Sequence, residues 1–127
     1  MRLIKLADTL FVYRLTSLAG LVTPQSATGT DSLFSLSVTG DEISLVSPQL
    51  DNLDIESVEG PWAGYRVEGV LDFGLTGILH SLTGPLAEAG ISVFAVSTYD
   101  TDYLLVRTDK AEAAEESWSS SSVEVSA

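Results

Sequence analysis

The chain has 127 residues, no cysteine and a net charge of −12, from 18 acidic and 6 basic side chains. This length fits one domain or two very small ones, and the lack of cysteine excludes disulfides, zinc–thiolate sites and thiol nucleophiles. The excess of acids makes nucleic acid and anionic membranes poor partners, because both are bound through Lys and Arg. We therefore expect an acidic, cytoplasmic protein with no nucleic-acid partner and no membrane attachment.

The first half of the chain has the pattern of short strands. Its start, MRLIKLADTLFVYRL, is broken by charges and is predicted as strand rather than signal peptide, with residues 9–15 the most strand-like part. Residues 16–32 have the Gly, Ser and Thr content of a loop. Residues 33–46 alternate apolar and polar side chains around Thr39, Gly40 and Asp41, which predicts a hairpin. Residues 47–61, with two prolines, are predicted as a connection between the halves.

The second half begins with a strand and a helix. Residues 65–70 alternate and predict a strand with one wet face. Apolar residues then follow a helical period, with Asp72 as a cap ahead of the helix and Gly90 as the stop signal. Pro85 would interrupt the helical hydrogen bonds, so a kink or restart is expected near Gly84. The apolar stripe consists of Leu75, Ile78, Leu79, Leu82, Leu86 and Ala89.

The remaining segments complete the second half. Residues 91–98 are apolar on both faces and predict a central, covered strand, with residues 103–107 as its hairpin partner. Residues 110–118 are predicted as a helix capped by Asp109. The Ser-rich end is predicted to fray, although residues 123–125 could pair as an edge strand. The similar order of elements in the two halves indicates a degenerate duplication, with helices over one face of an antiparallel sheet.

Three segments within residues 60–107, GPWAGYRVEG, LDFGLTGIL and PLAEAGISVFAVSTYDTDYLLV, together resemble the amino-acid-binding ACT domain. The resemblance is to the ACT subgroup shared by small bacterial proteins and the animal CASTOR arginine sensors. It implies an α+β, ferredoxin-like βαββαβ fold, in tandem ACT-like units whose antiparallel sheets are covered by helices on one face. It divides the chain into a divergent N-terminal ACT-like unit at 1–59, an ACT domain at 60–118 and a flexible tail at 119–127. The last strand is either intrinsic or supplied by Met1–Leu6.

The same resemblance implies a function. ACT modules are regulatory, catalyse no reaction, and bind small effectors, commonly amino acids, at the interface between units. The expected protein is therefore an amino-acid sensor that is not an enzyme and needs no cofactor, either a monomer with paired ACT units or a homodimer. The first strand–helix loop would hold the ligand's backbone groups, and the segment STYDTD would close over the ligand. The implied ligand-binding residues are Asp72, Gly74, Gly77, Ile78, Thr98, Tyr99 and Asp102.

General chemistry supports this assignment but leaves alternatives open. Amides at a helix N-terminus suit a carboxylate, glycines allow close approach, and a free acid such as Asp102 suits a cationic side chain. However, Asp favours turns, so Asp100 and Asp102 could simply be solvated. Asp72 could serve only as a cap, and Tyr99 could pack in the core. A rival reading is a protein–protein interaction module with a vestigial pocket. The single histidine, His80, is expected at the surface, and no metal site is predicted.

Overall fold

The structure is a computed structural model that describes residues 1–21, 32–70, 74 and 76–127. Contacts between Cα atoms divide it into a larger unit, Met1–Leu6 with Ala63–Ala127, and a smaller unit, Ala7–Trp62. None of the helices in the described ranges has the length and apolar character needed to cross a membrane. The elements are β1 Arg2–Leu15, β2 Ser35–Val38, β3 Ile43–Ser47, β4 Ile55–Val67, α1 Ile78–Glu88, β5 Phe94–Ser97, β6 Asp102–Arg107, α2 Ala111–Ser120 and β7 Glu124–Ser126.

The larger unit has the strand order β7–β1–β4–β6–β5, with β1 and β4 contributing residues 2–6 and 63–67. Strands β5 and β6 form an antiparallel hairpin, and β7 runs parallel to the start of β1. Residues 2–6 therefore lie next to β4, where the last strand of a βαββαβ unit is expected. The N-terminus of the chain supplies that strand, and β7 adds a further short strand beyond it.

The core of the larger unit lies between its sheet and the two helices. Strand side chains alternate between the two faces, so Tyr65 and Val67 of β4 reach this core while Arg66 points to the opposite face. Both helices bury apolar side chains against the same sheet face, which fits the expected α+β arrangement. The core consists of Leu3, Ala63, Tyr65, Val67, Leu82, Leu86, Ile91, Leu104, Val106, Ala111, Ala114, Trp118 and Val123.

The smaller unit has the strand order β2–β3–β1–β4, with residues 7–15 of β1 and 55–62 of β4. The predicted hairpin is confirmed, because β2 and β3 pair antiparallel on either side of the turn. Strand β3 also pairs antiparallel with β1, so that Leu45 lies opposite Tyr13. These two residues and Leu15 form a buried cluster, against which Phe11, Leu21, Phe34, Ile43, Leu50 and Leu53 pack.

The prediction of a connection over residues 47–61 is wrong for its second part. Strand β4 begins at Ile55 and runs through Gly60 and Pro61 to Val67. Its first five residues are all exposed, including Ile55 and Val58. The prolines and acids were typical of a loop, and an exposed strand lacks the alternation that would have countered them.

In the second half, one detail of the prediction is also wrong and another is decided only in part. Helix α1 continues through Pro85 without a restart, whereas a kink near Gly84 stays a prediction. Strand β5 lies at the edge of the sheet, so it is not the central strand. The strand buried on both faces is β6, whose residues Leu104, Leu105 and Val106 are fully buried. Both strands have short apolar runs, and local sequence cannot tell which of them will be covered.

The end of the chain is ordered by packing. Helix α2 begins after a short 3-10 turn over Thr108–Lys110, with Lys110 rather than the predicted Asp109 at the N-cap. The segment predicted as a flexible tail contains the end of α2, the buried Val123 and strand β7. The pairing of residues 123–125 was left open, and β7 pairs with β1 from Glu124 onward.

Candidate functional site

The turn between β5 and β6 is closed by hydrogen bonds between Thr98 and Thr101. The Thr98 amide donates to the Thr101 carbonyl at 2.8 Å, and the Thr98 hydroxyl donates to the same carbonyl at 3.1 Å. In return the Thr98 hydroxyl accepts from the Thr101 amide at 3.3 Å. These bonds fix the backbone of the turn and leave the side chains of Tyr99 and Asp100 exposed.

A second contact brings this turn to the end of β4. The Thr101 hydroxyl, which is buried, donates a 2.9 Å hydrogen bond to the carbonyl of Val67, the last residue of β4. The loop that leads to α1 leaves the sheet at this point. The turn and the start of that loop therefore lie at the same end of the sheet, as the ligand-binding hypothesis requires.

The loop that was expected to hold a ligand is described in part. Gly77 occupies the N-cap position of α1 with a φ of 78°, a conformation that favours glycine. A Cβ at Gly77 would meet no atom within 4 Å among the described residues, so its backbone is open to approach. Gly74 is an exposed turn residue, and Ile78 is half-buried against the core. Asp72 lies outside the described residues.

The remaining candidate residues lie on the hairpin itself. Asp102 is opposite Ser97 in the register of β5 and β6, and its Oδ1 accepts a 2.7 Å hydrogen bond from the Ser97 hydroxyl. Its side chain is half-buried. The ring of Tyr99 is 81% exposed, so the alternative that it packs in the core is wrong.

Sequence reasoning missed a polar cluster beneath α2. Glu115 Oε2 accepts hydrogen bonds from Lys5 Nζ at 2.8 Å and from the Tyr65 hydroxyl at 2.6 Å. The Lys5 ammonium also lies 5.7 Å from the centre of the Tyr65 ring. Lys5, Tyr65 and Glu115 are far apart in the sequence, and no local motif links them, so the cluster could not be predicted.

The cluster perturbs the titration of two of its members. Burial, together with the hydrogen bond to Glu115 and its negative charge, raises the pKa of Tyr65 well above its ordinary value. Burial alone would raise the pKa of Glu115, but the hydrogen bonds from Lys5 and Tyr65 and the positive charge of Lys5 outweigh it, so the pKa is lowered. Tyr65 is wholly buried and packs edge-on against Trp118, with ring centres 4.8 Å apart. The cluster is therefore part of the packed core, and we assign it to stability and not to ligand binding.

The described residues contain no group of three or more His, Asp or Glu side chains able to hold a metal ion. His80 is exposed on α1, as predicted.

The family model of the ACT domain matches residues 57–117 of the chain. The chain also resembles the crystal structure of protein Atu0741 from Agobacterium tumefaciens, with 30% identity and a TM-score of 0.76 over 98% of this chain and 90% of that one. The chain belongs to the ACT domain family. The ACT domain was expected from residues 60–107, so this expectation is confirmed.

Among ACT domain proteins the chain is of the CASTOR-like kind. It is 31% identical over 86 residues to the human protein CASTOR3P, an alignment that covers 58% of this chain. The chain spans about half the length of that curated relative, 53%.

More distant structures share the ACT fold alone. Protein VC0802 from Vibrio cholerae is 14% identical, with a TM-score of 0.64 over 94% of this chain and 88% of that one. The regulatory subunit of aspartate kinase from Thermus thermophilus is 12% identical, with a TM-score of 0.61 over 94% of this chain and 95% of that one. These likenesses support the predicted α+β class.

Proposed function

We propose that this ACT domain protein is a non-catalytic regulatory module that binds an amino acid between its first strand–helix loop and the turn from Ser97 to Asp102. The observation on which this depends is the hydrogen bond from the Thr101 hydroxyl to the Val67 carbonyl. It holds the turn beside the start of the loop. Regulatory parts of aspartate kinase have the same fold, which favours a regulatory role here as well.

The chemistry of the two segments suits a zwitterion. The start of α1 leaves backbone amides without partners inside the helix, and its partial positive charge favours a ligand carboxylate. The open backbone at Gly77 allows that carboxylate to approach. Backbone carbonyls, together with Asp72, would hold the ammonium group. Asp102 is the acid for a cationic side chain, because its Oδ1 is oriented by Ser97.

The magnitudes are sufficient for a sensor. Each charge-assisted hydrogen bond contributes about 1.5–3 kcal/mol net. Three such contacts approach the roughly 8 kcal/mol that micromolar binding requires, before the cost of ordering the ligand and loop is subtracted. We therefore expect dissociation constants no tighter than the micromolar range.

We further propose that the chain holds two ACT-like units in tandem, and matching contacts inside the two units support this. In the smaller unit the Thr16 amide donates to the Asp54 carbonyl at 2.8 Å, and in the larger unit the Glu68 amide donates to the Arg2 carbonyl at 3.0 Å. Donors and acceptors are each 52 positions apart (68 − 16 and 54 − 2). The sequences before the donors match as well, Tyr-Arg-Leu in one unit and Tyr-Arg-Val in the other.

The hairpin turns support the same duplication. In the smaller unit the Thr39 amide donates to the Glu42 carbonyl at 3.0 Å, and the Glu42 amide donates to the Thr39 hydroxyl at 3.1 Å. Thr98 and Thr101 make the same pair of bonds in the larger unit. Each turn joins the outer strand of its unit to the next, so the two hairpins occupy the same position in the strand order.

Thermal melting against each of the twenty amino acids tests the binding proposal. A ligand at a hundredfold excess over its dissociation constant adds about 2.7 kcal/mol to the free energy of unfolding. For a domain of this size we expect the melting temperature to rise by roughly 5 °C. If no amino acid at millimolar concentration raises the melting temperature, the sensor proposal fails.

The Asp102→Asn variant separates the role of the acid from that of the turn. Asparagine keeps an oxygen that can accept the Ser97 hydrogen bond but removes the charge, so the fold should persist while preference for cationic amino acids is lost. Asp100→Asn is the matched control, because Asp100 is exposed on the same turn. Equal selectivity in both variants would mean that Asp102 serves only the turn.

A second candidate function is docking of a protein partner, and exposed apolar side chains in the smaller unit favour it. They are Leu18, Leu36, Val38, Ile55 and Val58, with Val38 59% exposed. Leu36 and Val38 lie on β2, the outer strand of that unit. Replacing both with Thr keeps strand propensity and removes apolar area. If this double variant leaves amino-acid binding intact but abolishes the protein's regulatory effect on its partner, docking and sensing are separate functions.

A further inference from the structure

Arg66 is a cation in an unusual position. It lies on β4 in the larger unit, between the core residues Tyr65 and Val67, and its side chain points to the sheet face away from α1 and α2. The guanidinium Nε of Arg66 is buried and has no hydrogen-bond partner among the residues that the structure describes. A buried N–H without an acceptor has lost its hydration without a replacement, which destabilises the folded chain.

Three other basic side chains in the described part of the chain have acids beside them. Arg2 is paired with Glu124, Lys5 with Glu115, and Arg14 with two glutamates. None of the ion pairs between described residues includes Arg66. The chain has 18 acids for 6 bases, so acids are plentiful, and yet Arg66 has none in these ion pairs.

Arg14 is the counterpart of Arg66 in the smaller unit, 52 positions earlier in the matching Tyr-Arg sequence. Each of its three guanidinium nitrogens has an acceptor. Nε lies 2.6 Å from a carboxylate oxygen of Glu56, Nη1 lies 3.0 Å from one of Glu42, and Nη2 donates to the Asp41 carbonyl at 3.1 Å. The position is therefore built to have its guanidinium held by two carboxylates.

The larger unit keeps the arginine and has replaced both acids. The residue of the larger unit that corresponds to Glu56 is Ile4, 52 positions earlier on the paired strand. When the two hairpin turns are aligned, the residue that corresponds to Glu42 is Thr101. The Thr101 hydroxyl is already used by the Val67 carbonyl. The arginine fork thus remains on the sheet, while neither of the two equivalent positions, Ile4 and Thr101, carries a carboxylate.

We propose that Arg66 is a binding residue for the carboxylate of a small organic anion, which takes the place that Glu56 and Glu42 have beside Arg14. A planar guanidinium presents N–H groups in a fork that matches a carboxylate, so a single ligand carboxylate can bind two of them together. We expect the ligand group to be a carboxylate and not a phosphate, because the guanidinium of Arg14 is bound by carboxylates. The strongly acidic chain also disfavours the more highly charged phosphate.

This site is separate from the amino-acid site proposed above. Asp102 lies one position before Tyr103 and two before Leu104, a core residue on the helix side, so Asp102 points to the face that Arg66 does not. The inference therefore does not depend on the sensor proposal.

The test is nuclear magnetic resonance of arginine Nε–Hε groups in the full chain. The Arg66 signal is assigned by its loss in Arg66→Lys, and the Arg14 signal by its loss in Arg14→Lys. Wild-type protein is titrated with sodium acetate, with sodium chloride at equal ionic strength, and with acetamide as the neutral analogue of acetate. We expect a saturable shift of the Arg66 signal with acetate alone. The Arg14 signal should stay in place, because Glu42 and Glu56 already occupy its guanidinium.

Three results would overturn the proposal. The first is an Arg66 signal that does not move with acetate at any concentration up to the tens of millimolar range. The second is an equal shift with chloride or acetamide, or an equal shift of the Arg14 signal, which would show a general ionic effect. The third is a shift of the Arg66 signal with protein concentration in the absence of acetate, which would make an acidic side chain of a second copy the occupant. The titrations are carried out on the wild-type chain, and the variants serve only to assign its signals. A variant that fails to fold therefore costs one assignment but does not prevent the titration.

Discussion

The Thr101 hydroxyl donates a 2.9 Å hydrogen bond to the carbonyl oxygen of Val67, between residues 34 positions apart in the chain. Both groups are buried, and the bond joins the β5–β6 turn to the end of β4. The candidate ligand site depends on this join, because the bond holds the turn beside the point where the loop to α1 leaves the sheet.

Replacing Thr101 with Val should destabilise the protein while keeping its shape. Valine has nearly the volume of threonine but no hydroxyl, so the Val67 carbonyl is left buried without this donor. We expect the free energy of unfolding to fall by roughly 1–3 kcal/mol, measured by urea denaturation. Thr108→Val at an exposed position is the control, with an expected change within about 0.5 kcal/mol. Equal losses in both variants would mean that the buried bond contributes no stability.

The cluster of Lys5, Tyr65 and Glu115 should make stability depend on acid pH. The pKa of Glu115 is lowered in the folded state, so its stabilising contribution is present above the ordinary carboxyl value of 4.5 and is lost as the pH falls through the folded value. Glu115→Gln lacks this charge. The difference in free energy of unfolding between wild type and variant should therefore be largest at neutral pH and shrink in acid.

The control for this measurement is Glu116→Gln, which removes the same charge at an exposed neighbouring position of α2. Its difference from wild type should vary little with pH. A Glu115→Gln difference that stays constant from neutral to acid pH would show that the hydrogen bonds, and not the charge, account for the cluster's contribution.

Local patterns predicted the elements that have strong local signals. The hairpin around Gly40, helix α1 and helix α2 were all recognisable from alternation or helical spacing. The failures have a common physical cause, since burial of a strand depends on its neighbours in the sheet. Strand β5 has an apolar sequence but lies at the edge, and the first part of β4 is polar but still pairs.

The candidate site shows the same limit. The turn and its acids were identified from the segment STYDTD, and the resemblance to the ACT domain supplied their expected roles. Thr101, within that segment, was not singled out, because its partner Val67 lies on another strand and nothing local marks the contact. Arg66 was likewise recognisable only once the two units could be compared contact by contact.

Gly20 offers a test of the smaller unit. It has a φ of 77°, and a Cβ at this position would lie 2.1 Å from the Asn52 carbonyl oxygen. Alanine at Gly20 must therefore bear both the left-handed backbone, which costs roughly 1–2 kcal/mol, and a displacement of the loop that contains Asn52. Gly40→Ala is the matched control, since an added Cβ there meets no atom within 4 Å among the described residues. We expect Gly20→Ala to lower the denaturation midpoint clearly and Gly40→Ala to lower it little. Indistinguishable midpoints would mean that the loop yields to the methyl group without cost, and that the close approach of Gly20 to Asn52 does not help to hold this unit together.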